Sequence, residues 1–378
     1  MIVKRSIQED ILRKLFKNKA VIIYGARRVG KTTLVKEIQK KFPDISIYLN
    51  CDEPDIKEAL TNKTSTELKS FIGPKKLIII DEAQRVRNIG LTLKLIIDNY
   101  PEIQIIATGS SSFELSNQTI EPLTGRKYEY FLYPFSISEL KCIYTNMEID
   151  RLIEKRIIFG MYPEIVINEF DSERNLKEIT RSYLYKDVLQ YQNIRNPDIL
   201  EKLLQALALQ AGSEVSFNEL SNLLGIDKKT IQSYIAILEK AFVIFKLQPF
   251  NKNLRNEIKK LRKIYFVDTG IRNALINNLN PPTLRNDTGI LWENFLITER
   301  IKDNSNNFLN KNTYFWRTHQ KEEIDFIEEE AGSISAYEFK WKNKKSFKEK
   351  APKAFSDMYK KYVFKIINRK NYQEFLKI

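Results

Sequence analysis

The chain has one histidine, His319, and two cysteines, Cys51 and Cys142, in 378 residues. A single histidine excludes any multi-histidine metal site. Two cysteines build no disulfide framework, so the expected setting is a reduced cytoplasm. No apolar run approaches the roughly 20 residues that a membrane-crossing helix needs, and no membrane partner is expected. Met1 to Asp10 is charged and lacks the apolar stretch of a secretion signal. Internal repeats and low-complexity tracts are also missing.

What is present is an ordinary globular composition, 43% hydrophobic and 29% charged, on a chain long enough for two or three domains. The net charge of +14 is unevenly placed. Residues 246–263 carry seven Lys or Arg against one Glu, and residues 341–378 carry twelve against three. The rest of the chain is close to neutral. Basic charge concentrated in two stretches favours a polyanion, and DNA in particular, as partner. The plainer alternative is a set of solvated lysines on amphipathic helices.

The first part alternates short apolar strands with helical stretches, which is the α/β pattern. Ala20–Tyr24, Ile45–Leu49, Leu77–Ile80 and Ile103–Ala107 read as strands, and Thr32–Phe42 and Leu91–Asn99 as helices. Right-handed crossovers then give a doubly wound parallel sheet with its ligand at the strand C-termini. Gly25-Ala26-Arg27-Arg28-Val29-Gly30-Lys31-Thr32 fits G-x-x-x-x-G-K-[ST] in full, between a strand and a helix. Glycines let the backbone curl so that its N–H groups face phosphate, and the helix adds its positive end. Lys31 supplies charge to the β- and γ-phosphates, and the Thr32 hydroxyl coordinates Mg²⁺. Asp81, ending Leu77-Ile78-Ile79-Ile80-Asp81-Glu82, would hold that metal through water, and Glu82 would polarise the attacking water. Ser110, beyond the strand that should lie beside Asp81, is placed to sense the γ-phosphate. Arg126 reads as an arginine finger, in cis or in trans, or as a surface salt bridge.

Further along, Ile199–Gln210 reads as a helix, Ser216 with Glu219 as a capping box, Gly225 as a stop, and Asp227 as the cap of a third helix. Ile231, Tyr234, Ile235 and Leu238 form that helix's apolar stripe. Val243–Pro249 and Ile264–Val267 read as strands around a basic loop. This is the order of a winged helix-turn-helix. Lys228, Lys229, Gln232, Ser233 and Lys240 would be its exposed face, and Lys252, Arg255, Lys259, Lys260, Arg262 and Lys263 its wing. DNA contact and protein docking are both open for such a module.

The chain resembles prokaryotic AAA-type ATPases of the archaeal-ATPase branch that carry a C-terminal PD-(D/E)XK nuclease-like domain. The resemblance rests on Gly25–Thr33, Ile80–Gln84, Thr108–Ser112, Gly125-Arg126, Tyr133–Ser136, Gly160–Ile165 and Tyr265–Gly270, and then on Gly289–Glu293, Trp316-Arg317, Glu323–Asp325 and Glu338–Lys340. It implies ATP with Mg²⁺ as ligand and adds Thr33 to the nucleotide-binding loop. It also implies a restriction-endonuclease-like α/β fold for the last hundred residues. There, Asp325 and Glu338 lie on neighbouring expected strands, and Lys340 shares a face with Glu338 because i and i+2 do in a strand. Glu293 resembles the helical glutamate that completes such sites. Glu293, Asp325 and Glu338 would hold a metal, and Lys340 would position or deprotonate the attacking water.

The expected organisation is an ATPase core over 1–135, a helical lid over 136–198, a winged helix over 199–270 and a nuclease-like domain over 283–378. The expected function is ATP binding and hydrolysis with DNA binding and Mg²⁺-dependent nuclease activity. Its rivals are a signalling or scaffolding ATPase with a protein partner, and an ATPase whose inactive nuclease domain grips DNA. A homo-oligomer is compatible with each of these.

Overall fold

The computed structural model describes residues 2–109, 122–183, 197–251, 262–342 and 350–378. They form two compact units. One comprises Met1–Phe135, Ser182–Asn193 and Lys240–Phe242, and the other Ser136–Arg181, Ile194–Glu239 and Val243–Ile378.

The first unit is built on β1 (Ala20–Tyr24), β2 (Ser46–Asn50), β3 (Leu77–Asp81), β4 (Gln104–Gly109) and β5 (Lys127–Phe131). They run in the order β2-β3-β4-β1-β5, with every pairing parallel. Every residue of β1, β3 and β4 is buried. Central strands covered on both faces need apolar residues at consecutive positions, which is why Leu77–Ile80 reads as an unbroken apolar run. Helix Ile89–Asn99 buries Leu93, Ile96 and Ile97 in the same core. In β5 only Tyr130 is buried. That polar edge strand gives little periodic signal, and the sequence reading passes over it.

The second unit begins with helices, including Asn146–Phe159 and Ser172–Tyr183. Helices Pro197–Leu209, Phe217–Leu224 and Lys228–Lys240 follow. Their ends form largely as the sequence predicts, although only the Ser216 half of the Ser216–Glu219 capping box is made. Ser216 accepts a hydrogen bond from the Glu219 N–H at 3.3 Å. Gly225 closes the helix in the left-handed conformation, and Asp227 accepts from the N–H groups of Lys229 and Thr230. The stripe Ile231, Ile235 and Leu238 is buried, with Tyr234 half-buried.

Seven strands form the second sheet: β6 (Glu214–Val215), β7 (Ile244–Pro249), β8 (Arg262–Phe266), β9 (Asn312–Arg317), β10 (Glu323–Glu330), β11 (Ser333–Phe339) and β12 (Tyr362–Ile367). Their order is β12-β11-β10-β9-β7-β8-β6. The sequence places a boundary between 270 and 283, at Pro281-Pro282. The sheet runs across it, because β7 pairs with β9 in parallel through Gln248↔Tyr314 and Pro249↔Phe315. Helix Thr288–Asn306 is tied to the end of β8 by Asn294, whose amide exchanges hydrogen bonds with the Phe266 backbone at 3.0 and 2.7 Å.

Two of the glycine-containing landmarks meet here. Asp268 caps helix Thr269–Leu275 through the Ile271 N–H at 3.2 Å and accepts the Met161 N–H at 2.7 Å. Gly160 has φ +80°, and a Cβ at that position would collide with the Asp268 carboxylate. Gly160→Ala should therefore destabilise the second unit by at least about 2 kcal/mol, from strain at positive φ plus displacement of a buried carboxylate. The three tryptophans, Trp292, Trp316 and Trp341, all lie in this unit. Urea denaturation followed by their fluorescence reads the effect, and an unchanged midpoint would show that the Asp268 contact is dispensable.

Candidate functional site

The loop between β1 and helix Lys31–Gln39 is shaped by backbone constraints. A Cβ on Gly25 would strike the Leu132 carbonyl, because Leu132 continues the β5 pairing with an N–H···O bond to Tyr24 at 2.7 Å. Arg28 and Gly30 both have positive φ, 61° and 95°. Backbone that reverses hand in this way turns its N–H groups to one side and forms an anion-binding concavity. Val29 is fully buried. Arg5 braces the loop from beneath, donating to the Val29 carbonyl at 2.7 Å and the Tyr133 carbonyl at 2.5 Å. Lys31 is buried, and its Nζ donates to the carbonyls of Gly25 and Ala26, both at 2.9 Å. Its ammonium thus lies folded across the loop.

Asp81 ends β3 and is only 3% exposed. A buried carboxylate needs donors, and Asp81 has three hydroxyls. Thr32 Oγ1 and the Tyr48 hydroxyl donate to Oδ2, each at 2.6 Å, and Thr108 Oγ1 donates to Oδ1. Burial and the Asp81 carboxylate hold the Tyr48 phenol well above its usual range, so it remains a donor. Thr108 also accepts the Glu82 N–H at 3.2 Å. Glu82 is left-handed (φ 54°), and its carboxylate accepts from Gln84 Nε2 at 2.5 Å. One carboxylate and one hydroxyl, with room for phosphate oxygens, is the set Mg²⁺ takes beside a nucleotide. Thr32 and Asp81 fit it.

The site contains residues that the sequence reading missed. Tyr48 and Arg5 belong to no recognised pattern. Thr108 is two residues before Ser110, the residue expected to sense phosphate, and Ser110 itself lies outside the described residues. Arg126 makes the surface salt bridge that the sequence left open beside the finger reading. It immediately precedes β5, and β1 starts beside it through the Ala20 N–H to Arg126 carbonyl bond of 2.9 Å. In parallel strands that is the sheet end opposite the P-loop. Arg126 is paired there with Asp98 at 2.7 Å. A cis arginine finger is excluded by this register.

In the second unit, β10 and β11 are antiparallel with Phe326↔Tyr337, which sets Asp325 opposite Glu338. Lys340 pairs with Glu338 at 2.6 Å. Phe339 is buried, and Trp341 makes an edge contact with Trp292 at 5.4 Å, as alternation requires. The four predicted residues do share a neighbourhood, since Glu293 and Asp325 both act electrostatically on Lys340. At its centre, however, stands Lys263, 1% exposed, 3.2 Å from Glu293 and in contact with Glu323. Tyr265 also donates to Glu293, at 2.5 Å. Asp325 accepts the Phe339 N–H at 2.7 Å.

Glu293, Asp325, Glu338 and Lys340 are thus brought into one neighbourhood, with Lys263 among them. Among the described residues, no group of three or more His, Cys, Asp or Glu side chains is placed to hold a metal ion. Each carboxylate is served from within the protein, Glu293 by Lys263 and Tyr265, Asp325 by backbone, Glu338 by Lys340. Lys263 is likewise removed from the wing surface. The loop lysines Lys252, Lys259 and Lys260, with Arg255, lie outside the described residues.

Burial and the Glu293 carboxylate push Asp325 up to about 8, against Lys263, the Phe339 N–H and Lys340. A carboxyl raised on folding binds its proton in the native state while the unfolded chain, near 3.8, has lost it. Stability from this group is thus present at low pH, declines as pH rises from about 4 to about 8, and is flat above. Asp325→Asn should flatten that part of the curve. Tryptophan-monitored urea midpoints at pH 5 and pH 8 should converge in the variant relative to the parent, and parallel curves would count against a protonated Asp325.

Residues 17–141 match the family model described as AAA domain, residues 150–283 a domain of unknown function (DUF8612), and residues 288–374 a second domain of unknown function (DUF4143). An uncharacterized protein of Methanocaldococcus jannaschii is 28% identical over 344 residues, covering 85% of this chain and 74% of its own. One of Mycobacterium tuberculosis is 25% identical over 345 residues, covering 90% and 74%. Among solved structures, the Walker-type ATPase of Pyrococcus abyssi is 18% identical with a TM-score of 0.48, over 72% of this chain and 96% of that one. Residues 17–141 are thus similar to the AAA domain, and they hold the P-loop, Asp81 and Glu82.

Proposed function

We propose that the first unit binds ATP with Mg²⁺ and hydrolyses it. The observation that carries this reading is the Thr32–Asp81 hydrogen bond, which joins the P-loop helix to the acidic end of β3 beside the buried Lys31. Thr32 and Asp81 would hold the metal, which would supply charge neutralisation to the phosphates. Lys31 would exchange its two carbonyl partners for phosphate oxygens. Residues Gly25 to Thr33 would offer backbone N–H groups, with Ala26, Arg27, Arg28 and Val29 forming the turn. Glu82 would orient and polarise the attacking water once Gln84 releases it. Lys31→Ala should lower affinity for a fluorescent ATP analogue by at least about a hundredfold, since a charge-assisted contact to phosphate is lost. Glu82→Gln should retain binding and lose phosphate release. Normal turnover in that variant would remove Glu82 from the water-activating role.

We further infer that the second unit grips nucleic acid and does not cleave it through a metal. Two observations support this reading: the internal cation Lys263 among the carboxylates, and the solvent-exposed Lys228, Lys229, Gln232 and Ser233 on one helix. Exposed Lys342, Lys350, Lys353, Lys360, Lys361 and Lys370 add positive charge. Phosphate contacts release counterions, so binding should weaken steeply with salt. Lys228→Glu with Lys229→Glu should reduce the slope of log affinity against log salt by about one per lysine that contacts phosphate. Fluorescence anisotropy with a labelled duplex measures it. An unchanged slope would return these lysines to a merely solvated face. Cleavage of plasmid DNA in Mg²⁺ or Mn²⁺ that Asp325→Ala abolishes would overturn the grip and restore the nuclease reading.

A further inference from the structure

Tyr48 lies on β2, beside Ile79 of β3. Its hydroxyl reaches past its own strand to Asp81 Oδ2 at 2.6 Å, the oxygen that Thr32 also engages at 2.6 Å. The opposite oxygen is held by Thr108. An ionised carboxylate has about four lone-pair directions. Three hydroxyls arriving from β2, β4 and the P-loop helix fix its plane and leave about one direction open. Thr32 alone would not do this, because its single rotatable hydroxyl must also turn an oxygen lone pair toward a metal. Tyr48 is suited to the task. Its phenol reaches far on only two side-chain torsions, and the Lys36 ammonium sits 5.0 Å from the ring centre and restrains it.

We propose that Tyr48 is a positioning residue for the metal-nucleotide complex: its hydroxyl orients Asp81 so that the carboxylate's remaining lone pair meets a water of the bound divalent cation. The inference rests on the nucleotide reading of the P-loop. It assigns a role to a residue outside the loop and outside the acidic strand end. Tyr48 touches neither nucleotide nor metal and acts through Asp81. Its removal should therefore change how binding responds to metal and leave metal-free nucleotide binding alone.

Tyr48→Phe removes the one oxygen and keeps the ring. Binding of a fluorescent ATP analogue is measured for parent and variant in EDTA, and again as Mg²⁺ is titrated. Manganese electron paramagnetic resonance with unlabelled ATP counts bound metal directly. Circular dichroism melting checks that the fold is retained. Affinity in EDTA should agree within about twofold, while the Mg²⁺ concentration for half-maximal response should rise by about tenfold or more, as loss of a hydrogen bond to a charged acceptor implies. A metal response equal to or tighter than the parent's overturns the proposal. So does an equal fall in affinity with and without metal, which would mark Tyr48 as packing only. A parent with no metal-dependent nucleotide binding would overturn the nucleotide reading itself, and the role of Tyr48 with it.

Discussion

The carboxylate of Asp81 is the point on which the first unit's geometry depends. It is nearly inaccessible to water, so its charge is tolerated only where several donors converge. The strand order supplies them. With β3 between β2 and β4, Tyr48 and Thr108 stand on either side of it, and Thr32 closes the third direction from the P-loop helix. The P-loop strand β1 is one place further away, across β4. The Thr108 hydroxyl, at the end of β4, ties that strand to both acids, touching the Asp81 carboxylate and the Glu82 backbone. The direct link from the P-loop helix to Asp81 is Thr32.

Much of this was legible in the sequence, and for physical reasons. The P-loop is read directly because phosphate-facing backbone demands glycine at fixed spacing. Strands β3 and β4 are read because burial on both faces demands apolar residues in succession. Asp81 and Glu82 follow from their position after such a strand. Tyr48 was not legible, since its role depends on which strand lies next to β3, and strand order is a long-range property. The choice between finger and surface pair for Arg126 was hidden for the same reason, since its place follows from the parallel register of β1 and β5. Gly160 shows the reverse case, a residue noticed in the sequence whose requirement becomes physical only when Asp268 arrives from more than a hundred residues away.

Charge was the most misleading signal in the second unit. A count of lysines treats Lys263 as one of a basic cluster available to a polyanion. In the fold it is an interior counter-ion to Glu293 and Glu323. The burial of β8 decides this, because Lys263 and the three strand residues after it are all buried. Arg300 is a similar case. It lies on helix Thr288–Asn306, which is buried on most of its surface, and forks onto Glu328 at 2.9 and 2.8 Å inside the protein. The carboxylate cluster carries the same lesson. Asp325, Glu338 and Lys340 have the spacing of a metal-dependent nuclease, and spacing alone is silent about a lysine entering from another strand.

The pairing of β7 with β9 bears on how this protein can be inherited and divided. The Pro281-Pro282 stretch looks like a seam at which a gene could be cut or recombined. Parting the chain there would separate two adjacent strands of one sheet and expose a raw edge on each, with unpaired N–H and C=O groups beside buried Leu247 and Phe315. Such edges recruit other chains. The hairpin and the α/β segment behind it therefore depend on each other for a closed sheet, and a fragment carrying either half alone would be prone to aggregate.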